Sequence, residues 1–422
     1  MITRILPGTS VDVVAGERST ELGVVGVVTM AQTLSWGGKV TTIRQGDSTL
    51  TTLGYKMTDA KLKLVNEAMK SANKLILYRL NTGTKAAGTL ATGITATAKY
   101  GGALGNSIKV TVAASDANWI IKTFLGTTEM DSQIVSNASK FTANDFITID
   151  GTGTLETATI ALTGGADGTA DEGAWDAYKA ELEKQDYNII AYTGTDSTEA
   201  QGLIDFVNEQ RANDVNVQLV QSVVDADDIA VYKSAVGGVT TAYSLTAAEA
   251  CATMAGILAK CGIVASATYF DVPWWADVST RLTKVQQETR TLNGEILFVL
   301  MHSGVKVLYD INSLKTYTDE KPEDFHKGLV IRTLDKYATD LKILLDTKAI
   351  GKIRNTVAGR NQIKGYIVDM TKVNYLDNGY IEGFTADDVT VSEGTSRDSV
   401  IATSGIRVAD TVDKIYVTVT AL

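Results

Sequence analysis

The sequence predicts a multidomain protein of mixed α/β class: an α/β sandwich core, an inserted small β domain and an α+β C-terminal domain. Three observations predict this fold. Apolar runs of strand length alternate with helical periodicity before residue 85 and again from residue 164 to 310. A Thr- and Gly-rich stretch with short alternating segments separates these two parts. From residue 311 onward, two helical patterns precede further strand-like segments.

Composition and charge narrow the class of protein. The 422 residues, 44% of them hydrophobic, can build several domains that each bury a core. The net charge of -10 disfavours a protein that coats nucleic acid, which normally has a basic surface. The apolar runs at 23–31 and 295–301 are far shorter than the roughly 18 residues of a membrane helix, so we expect no membrane insertion. Residues 1–6 have no signal-peptide core, which favours synthesis in the cytoplasm.

The first part of the core is predicted over residues 21–85, after an extended arm at residues 1–20. Leu22–Thr29 is a continuous apolar run, as in a strand that is buried on both faces. Thr58 can cap a helix over Asp59–Ala72, and Leu75–Leu80 is a second buried strand. In the arm, Pro7–Gly16 is extended in character and too short to be stable alone. It must therefore pair either with a sheet of its own fold or with one of a neighbouring molecule.

The inserted unit is predicted over residues 86–163 as a small β sandwich or barrel, because its segments are short, Thr-rich and separated by glycine turns. Its predicted strands are Ile108–Val112, Trp119–Phe124, Phe146–Ile149 and Ala158–Leu162.

The α/β pattern resumes over residues 164–310, where parallel strand pairing is expected. Thr246–Cys261 has so little polar surface that we expect a helix buried between layers. The other predicted helices are Trp175–Lys184, Ser197–Glu209 and Thr283–Leu292. The predicted strands are Tyr187–Tyr192, Val215–Val224, and a hairpin of Glu295–Met301 with Val305–Asp310.

The C-terminal part, residues 311–422, starts with a helix for which Pro322 suits the first position. Apolar residues from Phe325 to Leu345 form one stripe, and a second helix is predicted over Asn361–Tyr375. The face opposite the stripe carries Lys327, Arg332, Lys336 and Asp340. The three last predicted strands are Val389–Ser392, Ser399–Val408 and Lys414–Thr420.

No set of residues in the sequence forms a recognisable catalytic or cofactor site. The two histidines, His302 and His326, have no metal-ligand spacing, and phosphate-loop, GxSxG and HExxH motifs are missing. Cys251 and Cys261 lie in an Ala-rich helical pattern, which predicts buried thiols. We therefore expect no enzyme activity, no cofactor and no metal. A single deep pocket with convergent polar groups would favour an enzyme.

Several motifs, in a fixed order, resemble those of contractile phage tail sheath proteins. They begin with PGTSVDV at residues 7–13, YRLNTGTKA at 78–86, AKYGGALGNSIKV at 98–110 and LTGGADGT at 162–169. LTAAEACATMAGILA follows at 245–259. The most specific block comprises residues 305–341, IGKIRNTVAGR at 350–360 and DKIYVTVTAL at 413–422. The sequence is identified as a member of this family by the order of these motifs.

The resemblance implies a structural subunit that polymerises with itself as stacked hexameric rings around a tail tube. Contraction of such a sheath drives the tube through the target envelope. Baseplate and tail terminator proteins are further implied partners, in a phage tail or a phage-tail-like particle assembled in the host bacterial cytoplasm. The resemblance also implies that each subunit lends its terminal strands to neighbours. The implied strands comprise Thr9, Ser10, Val11, Asp12, Val13 and Val14, and Lys414, Ile415, Tyr416, Val417, Thr418, Val419 and Thr420.

A tube-facing surface is predicted at the end of the first C-terminal helix, because the resemblance implies that this domain lies innermost. Lys348, Lys352 and Arg354 could hold an acidic tube by weak ion pairs. The alternative is that these cations only complement the helix dipole. For the whole protein, the alternative is another self-assembling shell or a surface-layer protein, which the acidic Thr- and Gly-rich composition also fits.

Overall fold

The computed structural model describes residues 26–420, and the first elements belong to a large sheet. The predicted strand Leu22–Thr29 falls only partly within the described residues. The elements before the inserted unit are β1 (Val27–Gln32), β2 (Val40–Arg44), α1 (Leu50–Leu53), α2 (Lys63–Met69) and β3 (Lys74–Arg79).

The chain then leaves the large sheet and forms two small antiparallel sheets that pack on a core of their own. That core contains Ile94, Ile108 and Phe146, all fully or nearly fully buried. The strands are β4 (Ala87–Ala91), β5 (Ile94–Ala98), β6 (Ile108–Ser115), β7 (Asn118–Leu125), β8 (Thr128–Val135), β9 (Ile147–Gly151) and β10 (Ala158–Ala161). The sheets have the orders β10-β6-β7-β8 and β4-β5-β9. The predicted small β domain is therefore present.

After the inserted unit the chain returns and completes the large sheet. The helices are α3 (Ala174–Leu182), α4 (Ser197–Ala212), α5 (Ala247–Cys261) and α6 (Lys284–Leu292). The strands are β11 (Ile189–Ala191), β12 (Gln218–Gln221), β13 (Val231–Ser234), β14 (Gly238–Val239), β15 (Asp277–Val278), β16 (Glu295–Ile296), β17 (Phe298–Met301) and β18 (Gly304–Val307).

In the described part of the chain, the large sheet has seven strands in the order β16-β13-β12-β11-β1-β3-β2. Its strands pair in parallel, except that β2 pairs with β3 in antiparallel fashion. Helices α2 and α5 cover one face, and α3 and α4 cover the other. This arrangement confirms the predicted parallel α/β core, whose strands are apolar because both faces are buried.

Buried polar side chains join the inserted unit to the core at the end of β3. Arg79 donates from Nη1 to the carbonyl of Gly37 at 2.9 Å and from Nη2 to that of Gly101 at 2.7 Å. Asn81 exchanges two hydrogen bonds with the backbone of Leu34, at 2.8 and 3.0 Å. Burial makes each of these bonds costly to lose, so they hold the inserted unit in one position.

The C-terminal part packs two helices and short strands around Ile367, Tyr375 and Val389. The elements are α7 (Gly328–Lys348), α8 (Val357–Thr371), β19 (Ile381–Glu382), β20 (Val389–Glu393), β21 (Val400–Ser404) and β22 (Arg407–Val408). The mixed α/β, multidomain fold class predicted from the sequence is thus confirmed. The domain limits at residues 20, 85, 163 and 310 stay a prediction.

The structure also corrects several local predictions. Asp59, not Thr58, accepts the cap hydrogen bond, and the first turn after it is a 3₁₀ helix before α2. Pro322 precedes another short 3₁₀ helix, and α7 begins only at Gly328. Part of the predicted hairpin, β16, pairs instead with β13 in the large sheet. For β16 the pairing with β13, which is distant in sequence, changed the assignment, whereas the Asp59 cap is a local contact with the amide of Lys61.

Candidate assembly surfaces

The segment predicted as the last strand has no strand partner among residues 26–420. Residues 409–420, which we call the C-terminal arm, follow β22, and no regular secondary structure is assigned to them. All side chains from Lys414 to Thr420 are exposed, including Tyr416 at 91% and Val419 at 88%. Lys414–Thr420 therefore forms no strand within the part of the chain that the structure describes, and its role as an inter-subunit strand stays a prediction.

The arm has the sequence of a strand. From Ile415 to Thr420, apolar and Thr residues alternate, which places Ile415, Val417 and Val419 on one side of an extended chain. An exposed strand of this kind presents unpaired backbone groups and apolar side chains to water, and pairing with a sheet edge removes both costs. The arm is thus suited to dock on another molecule.

A free sheet edge lies nearby in the C-terminal part. Strands β20 and β21 pair with each other in antiparallel fashion, and within residues 26–420 their sheet has no third strand. Ile401 on β21 is 54% exposed. A two-stranded sheet is marginally stable by itself, so an added strand would complete it.

The base of the arm is held by Lys327, which the sequence pattern placed on the helix face opposite the apolar stripe. Lys327 immediately precedes α7, and its Nζ contacts the carboxylates of Asp413 and, at 3.1 Å, of Asp410. Burial alone would lower the pKa of Lys327, but Asp413, with Tyr309 and Asp410, raises it above its ordinary value. This contact joins residues 86 positions apart, so local sequence pattern gave no signal for it.

The remaining residues of that helix face are also not solvated. Arg332 is buried and pairs with Asp310 on the core side, with Nη2 and Oδ2 at 2.7 Å. Burial would raise the pKa of Asp310, but Arg332 lowers it. Arg211 of α4 pairs with Asp335 through two bonds of 2.7 and 2.8 Å. These ion pairs attach the first half of α7 to the α/β core.

A cleft of about 780 Å³ lies between the core and the C-terminal part. Asp335 and Asp340 line it, and both are already paired, Asp340 with Lys336 at 2.6 Å and with the hydroxyl of Tyr375 at 2.7 Å. Burial raises the pKa of Asp335, although Arg211 opposes this effect. Asp335 therefore joins the C-terminal part to the core, while Asp340 is paired within the C-terminal part.

The predicted tube-facing residues are exposed and close together in sequence. Lys348 ends α7, Lys352 and Arg354 lie in the loop before α8, and Gly351 between them has a φ of +69°. Within the described residues, no carboxylate forms an ion pair with any of the three. Ile350 and Val357 in the same region are 69% and 68% exposed. The region thus combines apolar side chains with cations that pair with no carboxylate of residues 26–420, although the Nζ of Lys352 donates to the carbonyl of Thr347.

The predicted N-terminal strand, residues Thr9–Val14, lies outside the described residues. Both cysteines are buried as predicted, and burial raises the pKa of Cys261 to about 11. Within residues 26–420, no cluster of three or more His, Cys, Asp or Glu side chains is placed to hold a metal ion. No helix in that range is both long and apolar enough to cross a bilayer.

Comparisons with known proteins give matches over most of the chain. Residues 26–80 match the Tail sheath protein Gp18 domain III N-terminal region. Residues 81–167 match the Phage tail sheath protein beta-sandwich domain, and residues 320–421 match the Phage tail sheath C-terminal domain.

Three similar proteins extend this result. A sheath tail protein from Desulfitobacterium hafniense is 34% identical, with 97% of this chain and 99% of that chain covered and a TM-score of 0.85. A sheath tail protein from Listeria innocua is 27% identical, with coverages of 95% and 96% and a TM-score of 0.83. The phage-like element PBSX protein XkdK of Bacillus subtilis is 29% identical over 93% of this chain and 91% of its own length. With its inserted β sandwich, parallel α/β core and exposed C-terminal arm, the chain belongs to the phage tail sheath protein family.

Proposed function

We propose that this sheath subunit polymerises with copies of itself as stacked hexameric rings around a tail tube, linked by exchanged N- and C-terminal strands. The observation that carries the proposal is the C-terminal arm, which has strand-forming sequence but pairs with no strand in the described range 26–420. The outer edge of β21 is a candidate acceptor for a neighbour's strand. A second copy of the same chain would then satisfy both the arm and the edge.

Exchanged strands suit a lattice that changes shape. Each main-chain hydrogen bond contributes only about 0.5–1.5 kcal/mol, but every subunit repeats the link, so the lattice is cooperative. Because the links lie in arms, the rigid parts of the subunits can rotate while the links persist. We propose that the sheath contracts from an extended, metastable lattice to a shorter and wider one, which drives the tube through the target envelope.

The other proposed partners are the tube protein, which the basic residues Lys348, Lys352 and Arg354 would face, and baseplate and tail terminator proteins at the sheath ends. The proposed location is the tail of a phage or of a phage-tail-like particle, assembled in the bacterial cytoplasm.

Electron microscopy of two truncations tests strand exchange. One variant lacks residues 1–16 and the other lacks residues 414–422, while the unaltered chain serves as the reference. We expect hollow striated tubules from the reference and folded, dispersed subunits from both truncations. Circular dichroism checks that each truncated subunit keeps its helices and sheets. Tubules from the variant without residues 414–422 would refute exchange of the C-terminal strand.

A further inference from the structure

The C-terminal arm is fixed at one point just before its exposed part. Asp413 is the last anchored residue, with a side chain only 9% exposed, and Lys327, 14% exposed, holds it. Asp410 adds a second contact to the same Nζ, at 3.1 Å. The aromatic ring of Tyr309 lies below the cation, with its centroid 4.7 Å from Nζ. We call Lys327, Asp410 and Asp413 the arm clamp.

The clamp is attached to the α/β core and not only to the C-terminal part. Lys327 forms an isolated β-bridge with Ile311, which lies in the segment after β18, the last core strand. The next amide, of Gly328, donates to the carbonyl of Asp310 at 3.0 Å, and Asp310 in turn pairs with Arg332. The base of the arm therefore moves with the core.

We propose that Lys327 is a positioning residue for strand exchange: through Asp410 and Asp413 it fixes where the arm leaves the subunit, and so where the strand reaches its acceptor. This inference rests on the proposed exchange of Lys414–Thr420. Upstream of the clamp, the next backbone anchor is the Ala409 amide, which donates to the Tyr380 carbonyl. Without the clamp, Asp410–Asp413 would also be unanchored, and the free segment that leads to the exchanged strand would be longer. A longer tether loses more conformational entropy on docking and lowers the effective concentration of the strand at the acceptor.

Substitutions that remove one charge test the clamp. Lys327→Met keeps the aliphatic length of the side chain, and Asp413→Asn keeps the shape of its partner. The exchange of charges, Lys327→Asp with Asp413→Lys, restores a pair with reversed polarity. Lys306→Met is the matched control, because Lys306 is similarly buried and pairs at 2.5 Å with Asp271, outside the arm.

Two measurements are made on each variant: hydrogen exchange of the peptide covering residues 409–413 in dispersed subunits, and the critical concentration for tubule formation. We expect both single substitutions to speed hydrogen exchange in that peptide and to raise the critical concentration for tubule formation about tenfold. The double charge exchange should recover part of both effects, which also distinguishes a positioning role from simple misfolding. Lys306→Met should change neither quantity.

Two contrary results are distinguishable. In the first, Lys327→Met shows the same critical concentration and the same hydrogen exchange as the unaltered chain, while removal of residues 414–422 abolishes tubules. In that case strand exchange between subunits stands and the clamp inference is overturned. If the chain without residues 414–422 forms normal tubules, strand exchange fails, and the clamp inference fails with it.

Discussion

Glu67 of α2 shows how one residue can join distant segments of the core. Its side chain is fully buried, where an unpaired carboxylate would be very costly. Five side chains donate to it at 2.5–3.1 Å: Lys70, Tyr243, Thr253, Trp274 and Trp275. Burial would raise the pKa of Glu67, but these donors, Lys70 first, lower it below its ordinary value of 4.5.

Replacement of Glu67 by Gln tests this cluster. The NH₂ group of the Gln side chain would face side chains that are themselves hydrogen-bond donors. We therefore expect the free energy of unfolding at pH 7 to fall by about 3–5 kcal/mol. Because the folded pKa lies below the unfolded value, the carboxylate's contribution is complete above the unfolded pKa and is lost as pH falls through the folded pKa. The difference between the two proteins in urea unfolding should therefore shrink in acid.

Glu129→Gln is the control, because Glu129 pairs with Lys122 at the surface. It should change the unfolding free energy by less than about 0.5 kcal/mol at either pH. A Glu67→Gln protein as stable as the original at pH 7 would contradict the role given to this carboxylate.

At the scale of elements, the close crossing of α2 and α5 organises one face of the large sheet. Helix α5 is buried along almost its whole length, as its lack of polar residues predicts. The helices approach closely at Gly256, where an added Cβ would lie 2.4 Å from the carbonyl oxygen of Ala68. Because the carbonyl of Ala68 belongs to the backbone, it cannot move aside as a flexible side chain would. This position therefore requires glycine.

Gly256→Ala should therefore push the two helices apart. We expect a loss of about 1–3 kcal/mol in unfolding free energy, measured by urea denaturation. Gly365→Ala in α8 is the matched control, because a Cβ there meets no atom within 4 Å. The control should gain about 0.5–1 kcal/mol from helix propensity. Equal effects of the two substitutions would show that the crossing is not tightly packed.

At the scale of the whole molecule, α7 links the parts of the subunit. Its first half is attached to the core through Arg332 and through the pair of Asp335 with Arg211. Its second half packs in the C-terminal part through Leu341, Leu344 and Leu345. The helix ends at Lys348, beside Lys352 and Arg354. One continuous helix therefore connects the core to the predicted tube-facing residues.

The triple substitution of Lys348, Lys352 and Arg354 by Glu tests tube contact. We expect co-sedimentation with tail tubes to weaken at least about tenfold, with the loss greatest at low salt, where exposed charges are least screened. Tubule formation without the tube and the thermal unfolding temperature should stay unchanged, because all three side chains are exposed.

Substitution of Lys56, Lys85 and Lys140 by Glu is the control for that experiment. These exposed lysines give the same change in net charge at other places on the subunit. If the control weakens tube binding as much as the first set, the effect is one of net charge. Unchanged tube binding by the first set would remove these residues from the tube-facing surface.

The sequence by itself determined the features that depend on neighbouring residues. Apolar runs gave the buried strands of the core, and the lack of polar residues in Thr246–Cys261 gave the buried helix α5. The cap at Thr246 was equally local, with its hydroxyl bonded to the amide of Glu249 three residues on. The motif order also indicated the sheath family before any contact was known.

Only the tertiary structure decided which polar residues are buried and where the arm is held. The helical pattern alone places Arg332 and Lys327 on the face opposite the apolar stripe, although Lys327 in fact precedes α7. Their partners Asp310 and Asp413 come from segments 22 and 86 residues away. Strand β2 was missed for a related reason: its polar sequence VTTIR is placed by pairing with β3 at the sheet edge. The periodicity of the sequence indicates which face of a helix or strand is apolar, whereas the packing of distant segments decides which residues contact that helix or strand.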